Sequence, residues 1–145
     1  MMRPPRNLTV LFAKATEEAR QRLDETLGEA AARLEWWQRG APGAKGCTVC
    51  DLQVETEDHH IAGRRHGSVV VPLCVNCHGF VSRLQNRTDP RWQSDVRSPT
   101  IDETLFILGL ADLCEAAARY HGVAYVELAD RLRAVYAVRA RETVP

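Results

Sequence analysis

The sequence predicts an α+β protein in which helices at both ends flank a small central core of two short strands and a helix. Three observations carry that class. Apolar residues recur at helical spacing across residues 16–39 and again across residues 100–141. Residues 47–78 break that rhythm and hold two Cys-x-x-Cys pairs, Cys47/Cys50 and Cys74/Cys77, with Asp58, His59 and His60 between them and His78 directly after the last cysteine. The same stretch contains the β-branched run Val69-Val70-Val71, which suits a strand.

The N-terminal arm, residues 1–40, begins irregularly around Pro4 and Pro5. From Thr16, a candidate cap followed by Glu17 and Glu18, the positions Leu23, Leu27, Ala30, Leu34 and Trp37 predict an amphipathic helix to Arg39, with Gly40 beyond its end. Residues 8–12, LTVLF, suit either a first helical turn or a short strand. Adjacent Trp36 and Trp37 cannot both face inward, so one packs the helix and the other is left for a partner surface. Residues 40–46, GAPGAKG, read as a turn-rich linker into the first cysteine pair.

The core, residues 41–98, is expected to place strands at Asp51–Glu57 and Val69–Val71 and a short helix at residues 78–85, with Phe80, Val81 and Leu84 packing inward. Residues 86–99 are polar, carry Pro90 and Pro99, and read as a loop bearing an exposed or docking Trp92. In the C-terminal part, residues 99–145, Thr100-x-x-Glu103 has the form of a capping box. Residues 104–120, TLFILGLADLCEAAARY, are apolar on most faces and predict a buried helix ended by His121-Gly122. A last helix, Val123 to Arg141, puts Leu128, Leu132 and Val135 on one face, completing a helical hairpin. A surface as apolar as residues 104–111 is expected to be covered by a second copy or a protein partner. Cys114, set in that apolar pattern, reads as a core residue.

With 19 basic and 19 acidic residues the net charge is zero, so the overall balance does not announce nucleic-acid binding. Distribution says more. Residues 51–60 carry Asp51, Glu55, Glu57 and Asp58 without a basic residue, and residues 61–98 carry six arginines against Asp89 and Asp95. Four of the five cysteines fall in close pairs rather than being spread as in secreted disulfide frameworks. The N-terminal apolar run is too short for a signal segment, and no window of about 18 apolar residues exists to span a membrane. A reducing, cytoplasmic setting is the expectation, with no membrane partner.

Two Cys-x-x-Cys pairs separated by 23 residues can close a tetrahedral zinc site, each pair presenting two sulfurs from one tight turn. Such a site stabilises a loop-rich centre directly. Four cysteine ligands leave zinc no open position, so any chemistry must come from elsewhere. Asp58, His59, His60 and His78 are oxygen and imidazole donors of the kind that hold a divalent cation with water-filled positions. Strand alternation sends His59 and His60 to opposite sides, which gives neighbours different tasks: one ligates, the other takes a proton from water.

The order Cys-x-x-Cys, Asp-His-His-aliphatic, a loop with glycine and arginine, then Leu-Cys-x-x-Cys-His resembles the HNH endonucleases with a zinc knuckle, over about residues 46–85. The resemblance implies a ββα-metal core that hydrolyses DNA phosphodiester bonds with Mg²⁺ or another divalent cation. It implies His60, before Ile61, as general base, His59 and His78 as ligands of the catalytic cation, and Asp58 as a further ligand or orienting group. Arg64 or Arg65 would hold phosphate oxygens, and Arg83 and Arg87 would contact the DNA backbone. The chain departs from the pattern at Val69, where the family usually has asparagine, and at Ser82, where some members add a ligand. The alternative is a zinc module that binds nucleic acid or a protein without cutting.

Overall fold

The computed structural model describes residues 21, 24–35 and 46–142. The expectations for residues 1–20, for Leu23, for Trp36 and Trp37 and for most of the 40–46 linker lie outside them. Among the described residues the fold is mixed α+β, with a two-stranded antiparallel sheet and four helices. Their order is a helix over residues 24–35 (α1), β1 (Glu57–His60), β2 (Val70–Leu73), α2 (Val75–Thr88), a 3-10 turn (Pro90–Gln93), α3 (Pro99–His121) and α4 (Val123–Glu142).

The sheet pairs His59 with Val71 and His60 with Val70. The first strand therefore lies later than the expected Asp51–Glu57. Residues 51–56 form the path out of the first cysteine turn, and pairing with β2 selects the polar segment Glu57–His60 in spite of its composition. The alternation expected of the adjacent histidines holds: His59 is buried with Val71, and His60 is half-exposed. The ladder runs one residue further through Ile61 N–H, which donates to Val69 O at 3.1 Å.

Helix α2 starts inside the second cysteine pair, three residues earlier than expected, and runs three residues further. Cys74 is its N-cap, with Sγ accepting from Cys77 N. Asp89 closes α2 and caps the 3-10 turn by accepting from Arg91 N at 2.9 Å, while Tyr136 of α4 donates to its other oxygen at 2.8 Å. Trp92 in that turn is buried against Leu105 and Leu108 rather than exposed. It also lies over Gly63, whose φ of 81° and missing side chain make room for the indole; a Cβ there would stand 2.5 Å from the ring.

The cap of α3 is Ser98, whose Oγ accepts from Ile101 N at 3.1 Å; Pro99 follows at the first helical position, where its missing N–H costs nothing. The box expected at Thr100 is thus displaced by two residues. Gly122, at φ 99°, ends α3 and opens α4 at the expected positions. Residues 104–111 are covered within the chain: all but Phe106 are buried, and Phe106 packs on the same core. One core runs from Val49 and Ile61 through Val71, Leu73 and Val81 to Leu113, Leu128, Leu132 and Val135, and Ala30 of α1 joins it. Cys114 is part of this core, and burial pushes its thiol up to about 12.

Two contacts of α3 fix the centre of the molecule. At Gly109 the helix backbone presses on the carbonyl of Ile61, where a Cβ would sit 1.8 Å from the oxygen. At its far end His121 Nε2 donates to Val49 O at 2.8 Å, with Asp51 Oδ2 at 3.2 Å, gripping the first cysteine turn. No helix among the described residues is long and apolar enough to cross a membrane.

Candidate functional site

The first cysteine turn is built by close backbone approach. Cys47 N donates to Leu52 O at 3.1 Å and Asp51 N to Cys47 O at 2.9 Å, and Asp51 takes the left-handed conformation at φ 61°. Gly46 lies so near Leu52 O that a Cβ would stand at 2.5 Å. Thr48 N donates to Pro72 O at 2.9 Å, tying this turn to β2 and so to the second pair. The result brings the ligand atoms of Cys47, Cys50, Cys74 and Cys77 within 4.8 Å of one another. Cys50 Sγ and Cys74 Sγ are 3.8 Å apart, close to the edge of about 3.8 Å that a tetrahedron with metal–sulfur bonds of about 2.3 Å requires. The four cysteines are placed to bind a metal ion, and their number, sulfur chemistry and burial are consistent with structural zinc.

A separate cleft of about 240 Å³ runs along β1 and α2. It is lined by Asp58, His59, His60, His78, Arg64 and Arg65. Ser82, Gln85 and Asn86 close it from α2. The rings of His59 and His78 meet edge to face with centroids 5.3 Å apart. Burial, with the charges of His78 and His60 adding to it, lowers His59 to about 4, so His59 is neutral at physiological pH. Its Nε2 accepts from the Gln85 amide at 3.2 Å, and the same Gln85 nitrogen donates to Ile61 O at 3.3 Å. His78 is held on its other side, its Nδ1 lying 2.6 Å from Glu57 Oε2. Among the described residues none hydrogen-bonds the His60 ring, which is open to the cleft.

Among the described residues the four cysteines are the one group of three or more His, Cys, Asp and Glu side chains close enough to share a metal ion. A cation in the cleft would have His59 and His78 as its protein ligands and take its remaining oxygens from water and substrate. Asp58 alternates to the other face of β1 from His59, with His60, and is exposed. Arg65 donates to Gln93 O and lies 3.5 Å from Asp95, while Arg64 has no carboxylate partner among the described residues. Arg83 is not brought here. It lines another cleft of about 490 Å³ with Phe80, Arg119 and Tyr120, and Arg87 is exposed farther along α2.

Sequence reasoning missed Glu57 and Gln85. Both were readable in principle: Glu57 stands two residues before His59 and so shares its face of β1, and Gln85 stands two helical turns after His78. It gave no role to His66. His66 is buried and engaged at both ring nitrogens, by Asp102 and by Arg91 O. Comparison of the chain with protein-family models, curated proteins and solved structures finds no match.

Proposed function

We propose that this protein is a metal-dependent endonuclease of the HNH type, acting on DNA, with zinc at the four cysteines as a structural ion. One observation carries the reading: His59, His60 and His78, from two elements and 20 residues of sequence, line one open cleft whose rim bears Arg64 and Arg65. A divalent cation bound by His59 and His78 would supply charge stabilisation at the scissile phosphate and the leaving oxygen. His60, half-exposed and without a competing hydrogen bond among the described residues, takes a proton from the attacking water. Arg64 holds a phosphate oxygen, being the rim arginine with no carboxylate partner among the described residues.

Val69, where the family usually has asparagine, supports the reading less than an asparagine would. The loop after His60 is nevertheless closed here by other means: Gly63 N donates to His60 O and Ile61 N to Val69 O, both at 3.1 Å. The second reading is a zinc module that binds without cutting. It is favoured by Gln85, whose amide already occupies His59 Nε2 and must swing aside for that nitrogen to ligate.

Plasmid nicking in Mg²⁺, Mn²⁺ or Ni²⁺ separates the two. The nuclease reading expects His60→Ala to lower the rate by roughly 10²–10⁴-fold with zinc content and helicity unchanged. Wild-type protein that cuts no form of DNA with any of these cations supports the binding module.

A further inference from the structure

Glu57 and His59 point to the same side of β1, and His78 reaches them from the first turns of α2. The three side chains form a row, with Glu57 Oε2 2.6 Å from His78 Nδ1 and the His78 ring centroid 5.3 Å from that of His59. A carboxylate can only accept at this contact, so the ring proton of His78 belongs on Nδ1. A neutral imidazole has one N–H and one lone pair; with the proton on Nδ1, the lone pair is at Nε2, on the side of the ring away from Glu57.

We infer that Glu57 is a positioning residue of the cleft, which fixes His78 in the tautomer with a bare Nε2 and so prepares that nitrogen to ligate a divalent cation. The inference rests on the reading of the cleft as a cation site and names how one ligand is made ready. Ligating histidines elsewhere are held in the same way, through a carboxylate on the nitrogen that faces away from the metal. At the other ring the contact is of the opposite kind: the Gln85 amide donates to His59 Nε2 itself and has to move aside before that nitrogen can ligate.

The Glu57 side chain is about half exposed, at 53%. An ion pair that open contributes little to folding, so its removal leaves a folded protein in which the tautomer can be read. The test uses the full chain loaded with zinc. Long-range ¹⁵N–¹H spectra of the histidine side chains report which nitrogen of His78 carries the proton, and Mn²⁺ titration followed by electron paramagnetic resonance reports the cation affinity.

Wild-type protein is expected to show the proton on Nδ1. Glu57→Ala should shift His78 toward the other tautomer and weaken Mn²⁺ binding by roughly 10–100-fold. Glu57→Gln, which keeps an accepting oxygen, should restore most of the tautomer and part of the affinity. A wild-type His78 protonated at Nε2, a Glu57→Ala variant with unchanged tautomer and affinity, or a wild-type protein that binds no Mn²⁺ each overturns the inference. Failure of the nuclease reading looks different: Mn²⁺ is bound with this dependence on Glu57, and no DNA is cut.

Discussion

His66 and Asp102, 36 residues apart, are joined by a 2.8 Å contact between His66 Nδ1 and Asp102 Oδ1, and His66 Nε2 reaches Arg91 O at the same distance. Both partners are acceptors, so either contact is made through a ring N–H of His66. Burial acts against the Asp102 carboxylate, but its hydrogen bonds to Arg97 and His66 outweigh that and hold it below its ordinary range. One buried ring thus ties the loop after β1 to the 3-10 turn and to the first turn of α3. His66→Ala should cost about 1–3 kcal/mol, measured by urea denaturation. It should also lower DNA cleavage, because the freed loop carries Arg64 and Arg65.

Gly109→Ala is expected to be more damaging than its size implies. The added methyl would meet the Ile61 carbonyl, which is backbone and cannot rotate away. Overpacking of this kind costs about 1–3 kcal/mol or more. Because Ile61 follows His60, the variant should lose activity even at temperatures where circular dichroism shows it folded. An unchanged melting temperature would mean that α3 and β1 can separate freely.

Asp112 gives the α3–α4 hairpin a pH dependence. Its side chain is completely buried, Arg133 bonds one oxygen at 3.0 Å, and the other has no hydrogen-bond partner. Burial outweighs the attraction of Arg133 and raises the carboxyl from 3.8 to about 7. A raised folded value means that the protonated form is the one folding favours. The contribution is therefore fully present below pH 3.8 and is lost as pH climbs toward 7. Stability should fall by about 1.4 kcal/mol per pH unit at the steepest part of that window. Urea titrations from pH 5 to 8 with excess zinc should show this slope below about pH 7 and a levelling above it in wild-type protein, and Asp112→Asn should flatten the fall.

Removal of the metal should unfold the centre of the molecule and leave helix behind. The four cysteines join the first turn, β2 and the start of α2, and they belong to the same core as α3. A strong chelator, or Cys74→Ser, should abolish protection of amide protons in β1, β2 and the cysteine turns. Native mass spectrometry should find one zinc per chain before treatment. A chelated protein that keeps its exchange protection would show that the sulfurs do not need the ion.

The helical hairpin was legible because long periodic segments with a glycine at the break leave few alternatives; α3 ends at His121 and α4 starts at Val123, as the pattern requires. The cysteine site was legible from spacing. The strand at Glu57–His60 was misplaced because four polar residues carry no strand signal, and only pairing with Val70–Leu73 makes them one. The start of α2 was hidden because a cysteine pair reads as a turn, whereas Cys74 here acts as a helix cap. Ser98 was readable as the cap from Pro99 after it, and Thr100 drew attention away. His66 had no signal at all: a lone histidine in a loop acquires meaning from Asp102 and Arg91 only after folding.

Three contacts along helix α3 join it to the central core: Asp102 at the loop after β1, Gly109 at Ile61, and His121 at the first cysteine turn. A helix advances about 1.5 Å and turns about 100° per residue. The helix is therefore a gauge block with a fixed phase, and the distance between the sulfur site and the histidine loop is written into its residue count. Inserting one alanine between Gly109 and His121 would rotate one end against the other, and the two sites could no longer both be seated on the same rod.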